Sequence, residues 1–128
     1  MADDTRMLIE QLFQRGKTLR INGEYQEAIT VLTHIIQTDA SHASAHMELG
    51  LAHCYAGDFD SSLRELELAT CLDQTNPEIC LHLAKTYTML GMYDQGATTF
   101  RRVLEISVSG DGHYEEAKKQ LSYFAQMH

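Results

Sequence analysis

The stretch His46-Met47-Glu48-Leu49-Gly50-Leu51-Ala52-His53-Cys54-Tyr55-Ala56-Gly57-Asp58-Phe59 contains one helix, a glycine turn and the start of another helix. Gly57 can take the left-handed conformation that stops a helix and reverses the chain. Phe59, two residues on, begins the next helix, and Gly50, seven residues before the turn, is small enough for two helices to cross closely. The same punctuation recurs on both sides. Gly23, Gly57 and Gly91 are spaced 34 residues apart, and each is followed two residues later by an aromatic, Tyr25, Phe59 or Tyr93. Small residues stand seven before each glycine (Gly16, Gly50, Ala84) and five after it (Ala28, Ser62, Gly96). Large apolar residues stand nine after (Leu32, Leu66, Phe100), and Ile35, Ala69 and Val103 stand twelve after. A fixed period of this length, held without insertion, is the signature of a repeat array.

The pattern resembles the tetratricopeptide repeat, whose order is small residue, glycine turn, aromatic, alanine, large apolar. Three copies cover residues 9–42, 43–76 and 77–110. The departures are local. Leu12, His46 and Cys80 stand where tryptophan is usual, Pro77 is the only boundary proline, and Gly96 replaces the usual alanine. The resemblance implies an all-α fold, a right-handed superhelical solenoid of helix pairs, with residues 1–128 as a single domain. The helices are expected at about 4–21, 25–38, 43–56, 59–72, 77–90 and 93–107. Pro77 suits the first turn of the fifth helix, with Asn76 as its cap. The aromatics at 25, 59 and 93 are expected to plug the gap beneath each turn. Residues 113–127 read as a seventh, capping helix: Tyr114, Ala117, Leu121 and Phe124 make one apolar stripe. Lys118 stands where the repeats keep glycine or alanine, so no further helix is expected on that side.

The formal charge of −8 argues against nucleic acid, whose binders carry a basic stripe, and against docking on anionic lipid. No stretch approaches the length of a spanning apolar helix. The acidic start does not read as a secretory signal, and three cysteines, Cys54, Cys71 and Cys80, cannot all pair within one chain. A cytoplasmic protein is the expectation.

The resemblance places the concave face on the first helix of each repeat. That puts Phe13, Lys17 and Arg20, Met47, Glu48, Leu51 and Tyr55, and Leu81, His82, Lys85 and Met89 on a partner-binding groove. Gln14, Ile21, Cys54, Glu78 and Thr88 flank them. Phe13, Met47, Leu51, Tyr55, Leu81 and Met89 read as an exposed apolar strip, the mark of a surface that grips a peptide or helix. The alternatives are that residues 1–8 fold across the strip, or that a second copy buries it. Some relatives of this type hold a terminal carboxylate with lysine, asparagine and arginine. Here Phe13 and Lys17 in the first repeat, Glu48 in the second, and Glu78 and His82 in the third stand at those positions, so that set is absent, and Glu48 is expected to repel a carboxylate. An apolar groove is more similar to the small tetratricopeptide chaperones of bacterial secretion systems.

Other chemistry finds no motif. His46 and His53 lie seven apart on one face, but at core-facing positions, and no paired C-x-x-C or H-E-x-x-H accompanies them. No nucleophile elbow, phosphate loop or dinucleotide fingerprint occurs. Glu65 with Glu67, and Glu115 with Glu116, read as solvated charge on outer faces. The expectation is therefore a protein-binding scaffold, adaptor or chaperone with no catalytic residue, metal or cofactor. Its partner is a protein or peptide. The alternative is a self-assembling protein, a homo-oligomer that uses the same surface.

Overall fold

The computed structural model describes residues 2–127. Its elements are α1 (Asp3–Ile21), α2 (Tyr25–Thr38), α3 (Ala43–Tyr55), α4 (Phe59–Leu72), α5 (Pro77–Met89), α6 (Tyr93–Ile106) and α7 (Gly112–Gln126). No strand occurs among the described residues. Each boundary lies within a residue of the sequence expectation. Residues 3–8 continue α1 as helix and do not cross any strip as a separate segment.

The turns behave as the glycines require. Gly23, Gly57 and Gly91 have φ of 83, 90 and 80°, and no other residue type has a positive φ among the described residues. The same pair of hydrogen bonds closes each helix: Glu24 N–H donates to Leu19 C=O, and Gly23 N–H to Arg20 C=O. Asp58 to His53 with Gly57 to Cys54, and Met92 to Tyr87 with Gly91 to Thr88, repeat it. This double closure satisfies carbonyls that the helix end would leave bare.

The starts of α3, α5 and α7 are capped by side chains. Asn76 Oδ1 accepts from the N–H groups of Glu78 and Ile79 at 3.0 and 3.3 Å, with Pro77 in the first turn. Asp111 Oδ1 accepts from His113 N–H at 2.7 Å. His42 Nδ1 accepts from Ala45 N–H at 3.1 Å, an unusual cap that only an unprotonated Nδ1 can make.

The chain divides into two compact units, Met1–Leu72 and Asp73–His128. In the first, Ile9, Ala28, Leu32, Ile35, Ala45, Leu49 and Ala52 form the core. A Cβ at Gly16 would stand 2.7 Å from Leu32, and one at Gly50 would stand 2.8 Å from Leu66. Glycine in the first helix thus makes room for a leucine from the second. In the second unit Ala84 and Phe100 share the core with Cys80, Leu81, Val103, Ala117 and Phe124. Phe124 brings α7 into that core, tilted against Phe100 and edge-on to Tyr93. Lys118 is exposed on α7.

Candidate functional site

The first-helix face of the first unit is organised by an ion pair that the sequence reading did not foresee. Arg20 Nε on α1 donates to Glu48 Oε2 on α3 at 2.5 Å, and a second nitrogen reaches Glu48 Oε1 at 3.4 Å. The Glu48 side chain is 1% exposed and the Arg20 side chain 17%. A carboxylate buried this deeply needs a paired, hydrogen-bonded counter-charge. The expectation that Glu48 repels an incoming carboxylate is therefore corrected: Arg20 already neutralises it.

Lys17 lies one turn before Arg20 on α1, half-buried, and forms no ion pair among the described residues. Phe13, one turn earlier again, is half-buried and stacks on His42 with ring centroids 5.2 Å apart. Next to this stack an open cleft of about 560 Å³ is lined by Arg6, Met7, Ile9, Glu10, Asp39 and His42. Sequence reasoning missed that cleft, because its walls come from the helical overhang before the first repeat and from the loop after α2. Hydrogen bonds from Ser41 hold the Asp39 carboxyl there below its ordinary range.

The apolar strip is not exposed as expected. Met47 and Leu51 on α3 and Leu81 on α5 are buried. Leu81 belongs to the core of the second unit. The reason is spacing: a helix with neighbours on several sides buries more than one stripe, so apolar residues beside the core stripe also pack. On α3 every residue from Ala45 to Ala52 is buried. Tyr55 and Met89, the last residues of α3 and α5, are the exposed members of the strip. In the second unit His82 is half-buried, and Lys85 is exposed with its ammonium 3.6 Å from Glu116 on α7.

His46 is buried, and both ring nitrogens face acceptors: Nδ1 lies 2.6 Å from Glu65 Oε2 and Nε2 lies 2.8 Å from Ala40 C=O. The carbonyl only accepts, so Nε2 carries a proton, and a proton also lies between Nδ1 and the carboxylate. Glu65 is thus not solvated charge on an outer face, as the sequence suggested, but the partner of a core histidine. His53 is half-buried, 3.9 Å from Asp58. Among the described residues no group of three or more His, Cys, Asp or Glu side chains could hold a metal ion. No helix among them is long and apolar enough to cross a membrane.

Residues 77–107 match the tetratricopeptide repeat family. Solved structures share the fold. PcrH in complex with the chaperone binding region of PopD superposes with a TM-score of 0.87 at 18% identity, covering 99% of this chain and 96% of that one. The type III secretion translocator chaperone SycD of Yersinia enterocolitica gives 0.82 at 17% identity, covering 99% and 85%. The second tetratricopeptide domain of Spaghetti, bound to the HSP90 peptide SRMEEVD, gives 0.72 at 20%, covering 77% and 92%. At these identities the likeness carries the fold.

Proposed function

We propose that this chain, a tetratricopeptide-repeat protein, is a cytoplasmic chaperone or adaptor without catalytic activity. It holds a peptide segment or amphipathic helix of a partner protein on its first-helix faces. The observation that carries this reading is the Arg20–Glu48 pair. A buried carboxylate held by an arginine contributes little net stability over an apolar pair of similar volume. It does fix the guanidinium on α1, where Phe13 and Lys17 share a face with Arg20 by helical spacing, so that polar and apolar groups a ligand can use are offered together. Proteins of the same fold add support: PcrH is seen with segments of PopD and PopB, and SycD with a peptide of YopD.

The groove expected from the sequence is narrowed accordingly. Phe13, Lys17, Arg20 and Tyr55 in the first unit, and His82, Lys85 and Met89 in the second, are the residues proposed to meet a ligand. Met47, Glu48, Leu51 and Leu81 are buried and drop out of the contact surface, Glu48 serving to hold Arg20. Self-association is the second reading, favoured by Met7 and Leu8, which are exposed and apolar on the α1 overhang.

The test is a pull-down from source lysate with wild type beside Lys17→Glu. The substitution reverses a charge that enters no ion pair among the described residues, so the fold should survive it. A partner recovered by wild type and lost from the variant supports the reading. Equal recovery of the same partner by both contradicts it.

A further inference from the structure

A second surface, on the edge where the first helix of a repeat turns into the second, shares Tyr55 and Met89 with that face and is otherwise built from different residues. Ile21, Tyr55 and Met89 hold the same place in the three repeats, the last residue of the first helix. All are large and apolar, and they are 62%, 61% and 56% exposed. Tyr25, Phe59 and Tyr93 hold the next shared place, the first residue of the second helix. Phe59 and Tyr93 remain exposed and do not plug the turn as their spacing suggested. The core gains little from apolar residues kept outside it, and isolated exposed apolar residues need no explanation. Recurrence at one repeat position in every copy does, and contiguous apolar surface with a polar rim marks a protein interaction site.

In the first unit these residues form a row. Tyr25 stacks on Tyr55 with ring centroids 5.5 Å apart and planes within 17°. Ile21 precedes Tyr25, and Phe59 follows Tyr55, by four residues across the glycine turns. Beside the tyrosines an open cleft of about 390 Å³ is lined by Gly23, Glu24, Tyr25, Gln26, Glu27 and Ala56. Glu24, Glu27 and Asp60 are exposed and make no ion pair among the described residues. Asp58 is committed to Ser61, whose N–H and hydroxyl both donate to it, and His53 and Arg64 are basic groups near it.

We propose that this edge, Ile21, Tyr25, Tyr55 and Phe59 with Glu24, Glu27 and Asp60 on its rim, docks a basic amphipathic segment of a partner protein. Charge complementarity selects the partner: three exposed carboxylates without an ion pair among the described residues accompany the aromatic side chains. Arginine meets both demands, since its guanidinium stacks on a tyrosine ring while it pairs with a carboxylate. Apolar side chains of the same segment cover Ile21 and Phe59.

The experiment titrates the ¹⁵N-labelled full chain with a short synthetic peptide of alternating arginine and leucine, and with its glutamate-for-arginine counterpart. The basic peptide is expected to shift the amide signals of residues 21–27 and 55–60 and to bind more weakly as salt rises. Tyr55→Ser with Phe59→Ser, and separately Glu24→Lys with Glu27→Lys, are each expected to weaken binding about tenfold or more. Leu68→Ser, on an exposed part of α4 outside the row, leaves it unchanged. Shifts confined to other surfaces, or equal binding of the acidic peptide, overturn the proposal. So does a wild-type dimer in sedimentation that Tyr55→Ser converts to monomer, because the edge then serves a second copy.

Discussion

Arg20 on α1 and Glu48 on α3 form a two-contact ion pair in which the carboxylate is almost wholly out of water. The two residues are 28 apart and belong to different repeats, so the pair ties the first repeat to the second. Removing the arginine alone strands a buried charge. Arg20→Ala is expected to destabilise the fold by about 3–5 kcal/mol in urea unfolding. Arg20→Met with Glu48→Met is expected to recover most of that loss, since a packed apolar pair costs no desolvation. A double variant as unstable as the single one would show that the pair stabilises the fold in its own right.

Gly96 departs from the usual alanine because of Thr88. A Cβ at Gly96 would stand 2.5 Å from Thr88 Oγ1, which is itself held by a 2.9 Å hydrogen bond to Ala84 C=O. Gly96→Ala is therefore expected to cost about 1–3 kcal/mol by overpacking. In a Thr88→Ala background the same substitution should instead stabilise by about 1 kcal/mol, through helix propensity. Thermal unfolding of the four variants reads the change of sign.

Ser62 is buried, and among the described residues its hydroxyl has no hydrogen-bond partner at normal distance. The Cys54 thiol lies close enough for that hydroxyl to favour its ionised form, but burial dominates and pushes the thiol up. A desolvated hydroxyl without an acceptor is a cost, and alanine is the better helix former. Ser62→Ala is expected to raise stability by about 1 kcal/mol, and a loss of similar size in chemical denaturation would count against an unpartnered hydroxyl.

The cysteines should separate by reactivity. Cys71 is exposed, whereas Cys80 is buried and its thiol is pushed up to about 11 by burial. Thiolate is the reacting form, so at mildly alkaline pH native protein should be alkylated at Cys71 well before Cys80. Peptide mapping by mass spectrometry checks the order. Early labelling of Cys80 would mean that α5 and α6 open readily.

The repeat was legible because it is written in residues with narrow tolerances. Gly57 must take a positive φ, and Gly50 must admit Leu66, so neither place accepts most substitutions. The face of the first helices was less legible. Periodicity marks the core stripe, but whether Met47 or Leu51 beside it is buried depends on helices brought there by distant sequence. Arg20 and Glu48 each lie on a first helix, yet their pairing joins helices that local spacing cannot align. Glu65 looked solvated for the same reason, since His46 reaches it across nineteen residues. The exposed repeat position held by Ile21, Tyr55 and Met89 was open to reading from the period alone, as an apolar place outside the core stripe.

The central claim is that the face carrying Lys17 holds a partner segment. A photo-crosslinking residue placed at Lys17, with a second chain carrying it at Lys118 on the exposed side of α7, tests this in source cells. A covalent adduct with a distinct protein is expected from position 17 and none from position 118. Adducts from position 118 alone, or only with a second copy of the chain from position 17, would contradict it.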